Sequence, residues 1–387
     1  MAAKKWNLSV LYGKKETTFG TDPDATGALY RHLKATEMSF QPEVDVVERP
    51  GLINDLVRLP HAMGARGGKV SFKLEVKGSG TPATAAAVAP EADEILETAL
   101  GTVTRGTGST IVSATTTALT VASGAGFSKW MMVLCDCGAT YGWVPRFVIS
   151  IAGNVLTLDR ALPVAPANAT AVHASNRYTR ANSGHASMAF AAIRDGILYT
   201  FLGCKVDSVK VSGISARGTA LLDVAYSVTD FNTTAKGSLP STALTGITAV
   251  SAPVIKGSCF AVGGAEELAY GMDIDFGQTF AFQDSTCALG PQQGESVNAG
   301  LELVEAKPTG SVKLYYAGSH MTDFAAGTSR SLAFACGRNL GNAWGFYAPN
   351  AQWLQPGLEN HNGMVGENMP FAVNDAGTDP EYAICLA

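Results

Sequence analysis

A phosphate-binding loop is the first chemistry that the residue types suggest, at positions 64–71, GARGGKVS. Such a loop needs four residues between its glycines and a Ser or Thr directly after its Lys. Here three residues separate Gly64 from Gly68, and Val70 follows Lys69. Lys69 also falls on the polar side of a stretch that alternates in polarity. The sequence therefore predicts no nucleotide site.

Paired carboxylates are the next candidate, at Asp273 and Asp275. Two positions apart on a predicted strand, they project to the same side. Such a pair could act as acid and base, or could lie on a solvated face. The six histidines show no HExxH spacing and no Ser lies in a Gly-x-Ser-x-Gly elbow, so we predict that the protein is not an enzyme. If the chain forms a ring, this carboxylate face is a candidate for the inner wall.

Metal ligands are sparse. TDPDATG at 21–27 looks like a calcium loop, but Leu33 stands where the bidentate Glu belongs. Cys135 and Cys137 are one residue apart, with no second Cys/His pair at zinc spacing. The seven cysteines are scattered and odd in number, which favours free thiols and assembly in a reducing cytosol. We predict a solvated turn, buried thiols and neither a metal nor a cofactor.

Tryptophans offer one further kind of site. They could form a platform for a sugar ring, although they more often anchor cores and interfaces. The four in question are Trp130, Trp143, Trp344 and Trp353.

Length and composition limit the possible fold classes and functions. A chain of 387 residues predicts roughly two or three domains, because one core stops growing near ~250–300 residues. Only 16% of residues are charged and 42 are glycine, which favours strands and tight turns over helices. The net charge of −5 gives no basic footprint for nucleic acid. We expect no signal peptide, and residues 106–128 carry no charge but are too rich in Ser, Thr and Gly to span a membrane.

The segment from Arg66 to Gly101 organises the chain. Residues 69–77 alternate, with Val70, Phe72, Leu74 and Val76 on one side and Lys69, Ser71, Lys73, Glu75 and Lys77 on the polar side, so they predict a half-buried strand. A helix is predicted over 90–100, with Pro90 and acidic residues in the first turn and Gly101 as its stop.

The remaining chain falls into segments around this unit. EVDVVE at 43–48 predicts a strand, and residues 49–68 predict a loop whose apolar side chains need cover from a neighbouring subunit. Residues 102–180 predict a small all-β insertion, and 232–252 predict a linker. SLAFACG at 331–337 echoes SMAFAAI at 187–193, which indicates an internal duplication. The apolar loop residues are Leu52, Ile53, Leu56, Val57 and Leu59.

The Gly-Gly, the alternating strand, the Gly-Ser-Gly and the Ala/Pro-rich stretch before a short acidic helix ending in Leu-Gly resemble the tail tube proteins of long-tailed bacteriophages. The resemblance covers most of 41–101 and 183–230, with the duplicate at 253–387. It implies a mainly β fold of two tandem β-sandwich or barrel tube domains, 1–231 and 253–387, each flanked by a short helix, with 102–180 inserted in the first. Family rings are usually hexamers of one-domain subunits, so a two-domain chain implies a trimer with pseudo-sixfold symmetry.

The resemblance also implies the partners and the location. The chain would bind copies of itself in rings and stacked rings, together with the tape measure, tail terminator and distal tail proteins. Genomic DNA would pass through the lumen without specific binding, and no membrane or cofactor would be involved. The protein would belong to the virion tail after assembly in the host cytoplasm. The alternatives are a distal-tail or capsid-decorating protein, and a carbohydrate-binding or hydrolytic β-protein whose site lies in the insertion.

Overall fold

The computed structural model describes residues 9–47, 61–81, 89–194, 197–232, 250–255, 259–284, 298–316, 319–377 and 379–387. Within these ranges the protein is mainly β, as the composition predicts, with a large sheet and one closed six-stranded barrel. Most of the linker predicted at 232–252 lies outside the described residues.

The chain begins with four strands, a helix and a short fifth strand. These are β1 (Ser9–Lys15), β2 (Arg31–Leu33), β3 (Thr36–Val47), β4 (Ala62–Glu75), α1 (Asp93–Leu100) and β5 (Gly101–Thr104).

β4 contains most of the strand predicted at 69–77, but it starts earlier and ends at Glu75. Its residues 62–68 were predicted as loop, and this was wrong because Ala62 pairs with Val47 and the hairpin with β3 continues to that point. Lys77 was predicted on the polar side and this was also wrong. It lies beyond the strand, where it is 2% exposed and its Nζ is 2.8 Å from Oε2 of Glu91.

α1 ends where the sequence predicts and starts three residues later than predicted. Gly101 has φ of 91° and its amide donates to the Glu97 carbonyl, so it is the left-handed C-terminal cap. The Pro90 carbonyl accepts the Asp93 amide in a turn that precedes the helix. The apolar stripe that includes Ile95 and Ala99 is buried in the main core.

The six strands of the barrel lie within the predicted insertion. They close in the order β10, β7, β6, β11, β8 and β9 around their own apolar interior. The hairpin predicted at 152–154 is confirmed, because Ala152 pairs with Val155 across Gly153. The barrel elements are β6 (Gly108–Ala114), β7 (Ala118–Val121), β8 (Met132–Asp136), α2 (Gly138–Tyr141), β9 (Trp143–Ala152), β10 (Val155–Leu158) and β11 (Ala171–Ala174).

After the barrel the chain returns to the large sheet. β12 pairs with β5, so the chain leaves and rejoins that sheet on neighbouring strands. β14 is long and pairs with different strands along its length. Its first half pairs with β13 and β16, and its second half pairs with β15. The strands are β12 (Asn176–Arg180), β13 (Met188–Arg194), β14 (Ile197–Ser215), β15 (Leu221–Val228) and β16 (Asp230–Asn232).

The C-terminal part contributes eleven strands and one helix to the elements described. They are β17 (Cys259–Val262), β18 (Ala265–Glu267), β19 (Ala269–Asp275), β20 (Gln278–Asp284), β21 (Asn298–Ala306), β22 (Thr309–Tyr315), α3 (Ser319–Ala326), β23 (Ser329–Asn339), β24 (Asn342–Trp353), β25 (Gly357–His361), β26 (Met364–Val373) and β27 (Ala383–Leu386).

One set of strand pairings occurs twice. β1 pairs with β2 and β13, just as β17 pairs with β18 and β23. β4 pairs with β3 and β15, just as β22 pairs with β19 and β26. β14 pairs with β13, β15 and β16, just as β24 pairs with β23, β26 and β27. In each set a helix comes next along the chain after the strand that lies between two partners: α1 follows β4, and α3 follows β22.

The two sets are joined by the second half of β14, which pairs with β19. The result is a continuous row of antiparallel strands in the order β3, β4, β15, β14, β19, β22, β26 and β25. One side of this row packs on the main core, which extends across both sets. We call its other side the polar face.

Candidate functional site

The polar face carries the two predicted carboxylates. Asp273 is exposed and Asp275 half-buried on β19, while Met272 and Ile274, which alternate with them, point into the core. The side chains therefore share one side, as their spacing predicts. Asp275 is not free for acid–base work, because its Oδ2 lies 2.8 Å from Nζ of Lys210 on β14.

Five charged residues cross this face in alternation, and we call them the charge ladder. Asp223 is directly opposite Lys73 on one side and Lys210 on the other, and Lys210 is opposite Asp275. Glu37 extends the series, with its Oε2 2.5 Å from Nζ of Lys73. The hydrogen bond to Glu37 raises the pKa of the Lys73 ammonium above its ordinary value. Opposite charges on facing positions favour this register, as cross-strand pairs do generally.

The charge ladder decides what the face can hold. A site for nucleic acid or polyphosphate needs a block of cations, because binding to a phosphate backbone is driven by neutralising several phosphates at once. Here each ladder lysine has a carboxylate beside it. The face is therefore hydrophilic, and its ladder has three carboxylates to two lysines, so it offers no cationic track.

An aromatic cluster ends the face at β25. The Tyr270 hydroxyl donates to Oε1 of Glu359 at 2.6 Å, and the His361 ring stacks on Tyr270 with centroids 3.9 Å apart. This hydrogen bond lowers the pKa of Glu359, and desolvation raises that of Tyr270. Lys313 completes the group, with its Nζ 3.5 Å from Glu359. These contacts fix side chains of β25 beside the last edge of the row.

The strands at the two ends of the row each have one partner among the described residues. Among the described strands, β3 pairs only with β4, and β25 pairs only with β26. On the core side of β25, Leu358 is 67% exposed and its neighbour Val365 on β26 is 57% exposed. Exposed backbone edges beside apolar side chains are the usual template for pairing with another chain.

The four tryptophans named in the sequence analysis do not form a sugar platform. Trp344, Trp353 and Trp130 are at most 7% exposed. Trp130 stacks on Tyr347 with centroids 4.8 Å apart, and so anchors the barrel to the large sheet. Trp143 is half-buried with its ring edge against His173. The alternative prediction, that they are core anchors, fits their burial.

The other predicted site residues fall into three groups. The phosphate-loop candidate at 64–71 is strand in β4, so it cannot wrap a phosphate. Cys135 and Cys137 are buried thiols, as predicted, and burial raises the pKa of both. The proposed contact residues Leu52, Ile53, Leu56, Val57 and Leu59 lie outside the described residues.

Sequence reasoning missed the buried charges. Glu16 is 4% exposed and accepts hydrogen bonds from the amides of Gly20 and Gly203 and from the Ser187 hydroxyl. Desolvation raises its pKa to about 7 against these bonds. The Gly20 contact is local, but Ser187 and Gly203 are more than 170 residues away along the chain, so the sequence around Glu16 gives no signal that it is buried. In the part of the chain that the structure describes, no group of His, Cys, Asp or Glu could hold a metal ion.

The chain matches no protein-family model and no curated protein. None of the helices among the described residues is both long and apolar enough to cross a membrane.

Proposed function

We propose that the protein is a structural subunit of a bacteriophage tail tube, in which copies join edge to edge into a ring and rings stack into a tube. The observation that carries the proposal is the doubled set of strand pairings with its internal joint between β14 and β19. That joint is one unit docked on the next within a single chain. A unit that docks on its own duplicate has the geometry needed to dock on a further copy.

The two sets of strands correspond to two tandem tube domains, 1–231 and 253–387, with 102–180 as an all-β insertion. α1 is the flanking helix of the first and α3 that of the second. A head-to-tail contact between such units is heterologous, so it closes into a ring or propagates as a filament. Joining the edges also removes exposed strands that would otherwise aggregate. By the family pattern three copies would complete a pseudo-sixfold ring.

The polar face suits the inner wall of such a ring. Asp273, Asp275 and the charge ladder would line a lumen that lets DNA pass without holding its phosphates. The protein would act in the virion tail, with copies of itself, the tape measure, tail terminator and distal tail proteins as partners. It would use no cofactor and carry out no reaction.

Electron microscopy of negatively stained, purified protein tests the proposal. We expect open-ended tubes of uniform bore and a threefold or pseudo-sixfold cross-section. Single closed rings at every concentration would instead favour a distal-tail or capsid-decorating protein. A monomer that persists at high concentration would refute self-assembly altogether.

A further inference from the structure

We propose that the joint between copies is formed by β25 of one chain and residues 36–41 of β3 in the next, paired antiparallel in the manner of β14 and β19. This inference rests on the proposed function, since it names the surfaces through which the copies would meet. It specifies two backbone edges that belong to different ends of the chain.

Strand direction permits the pairing. Each neighbour in the row is antiparallel, from β3 through β4, β15, β14, β19, β22 and β26 to β25. Because these are eight strands, β25 runs opposite to β3. A second copy placed at the end of the row therefore brings its β3 antiparallel to β25, and the alternation continues unbroken.

β25 is the counterpart of the second half of β14. β24 and β25 both pair with β26: Trp353 of β24 is opposite Phe371, and Gly357 of β25 is opposite Asn368. Three residues, 354–356, face two in β26 between these pairs, so the two strands are one strand interrupted by a bulge. β14 likewise pairs with β13 in its first half and with β15 in its second. Its outer edge there is taken by β19, whereas the outer edge of β25 has no described partner.

Burial differs between the two counterparts as the proposal requires. Ile214 in the second half of β14 is opposite Met272 of β19 and is only 4% exposed, whereas Leu358 of β25 is 67% exposed. On the other strand of the joint, Met272 and Ile274 of β19 are each 2% exposed. Met38 and Phe40 of β3 point toward the same core but are only partly buried. A second copy would cover both sets of apolar side chains.

Cross-linking between introduced cysteines tests the contact directly. Ser39→Cys and Gln355→Cys lie at opposite ends of the row, separated within one chain by seven strand spacings, roughly 33 Å along the sheet. Across the proposed joint they come within reach of a short bismaleimide. The double variant should give a ladder of covalent dimers and trimers on a denaturing gel. Each single variant controls for reaction at the native cysteines and should give no ladder.

A matched pair of substitutions tests the energetic contribution. Leu358→Asp places a charge in the apolar joint, and we expect the apparent dissociation constant for assembly to rise at least about tenfold. Val112→Asp is the control, because Val112 is an apolar strand residue that is 54% exposed on the barrel, outside the joint. It should leave assembly unchanged. Circular dichroism and thermal unfolding establish that both variants fold.

The outcomes separate this inference from the proposed function. Ladders in the double variant, with assembly lost in Leu358→Asp and kept in Val112→Asp, support the joint. If the double variant forms tubes but gives no ladder, and Leu358→Asp still forms tubes, the joint is overturned and the tube function stands. Wild-type protein that never assembles refutes both.

Discussion

The buried ion pair between Lys77 and Glu91 gives the sharpest test of how this fold is held together. Their side chains are 2% and 6% exposed, and Nζ lies 2.8 Å from Oε2. Oε1 of Glu91 also accepts the amide of Lys34. The pair therefore connects the end of β4 and the segment before β3 to the turn that starts α1.

Replacing Lys77 with Met removes the cation and leaves a buried carboxylate without its partner. Breaking a buried pair in this way costs about 3–5 kcal/mol. The exposed pair of Lys73 and Glu37 is the matched control, because its side chains are 33% and 67% exposed. Lys73→Met should destabilise the fold far less than Lys77→Met, since an exposed pair is weakened by solvent.

Hydrogen exchange of peptides that cover 93–100 is the appropriate assay, because it reports the free energy of opening around α1 rather than of the whole chain. Lys77→Met should speed exchange there on the order of a hundredfold to a few thousandfold. The double variant Lys77→Met/Glu91→Leu should recover part of the loss, because no charge is left buried. An effect of Lys77→Met as small as that of Lys73→Met would refute the reasoning.

Three further predictions concern a buried acid, the polar face and the loop. The pKa of Glu16 is raised to about 7 in the folded protein, so its contribution to stability is present below its ordinary pKa and falls as pH rises from about 4.5 to about 7. Urea unfolding at a series of pH values should show this fall in the wild type relative to Glu16→Gln. Parallel plots of unfolding free energy against pH for the two proteins would contradict it. The double variant Asp273→Lys/Asp275→Lys should bind DNA in a salt-dependent manner that the wild type lacks. Fluorescence anisotropy at low and high salt measures this binding, and equal binding by both proteins would contradict the argument that the carboxylates keep DNA off this face. Leu56→Asp combined with Leu59→Asp should leave a folded subunit that forms no tubes in negative stain, whereas unimpaired tubes would show that this loop makes no essential contact.

The local elements of this protein could be predicted because their signals are local. Alternation at 69–77 identifies a strand, since successive side chains of any strand point to opposite faces. Gly101 identifies a helix end, because glycine adopts the left-handed conformation without a steric penalty. The hairpin at 152–154 follows from a Gly-Asn pair between two apolar runs. These predictions needed no knowledge of what lies nearby in space.

Partner choice could not be predicted in the same way. Many strands here alternate, and the alternation of β14 is equally compatible with several neighbours, so the joint with β19 had to come from the tertiary structure. Lys77 shows the same limit for burial. A lysine on the polar side of a pattern is expected in water, and only the approach of Glu91 from the start of α1 makes its burial tolerable.

The repeat shows both sides of this division. The sequence by itself indicated a duplication from a few matching letters, at Ser187 and Ser331 and at Phe190 and Phe334. The tertiary structure decided how the two sets of strands are related in space, because hydrogen bonds between distant strands place the second set at the edge of the first. It also left the outer edges of β3 and β25 without a described partner, a non-local fact that supports the proposed assembly.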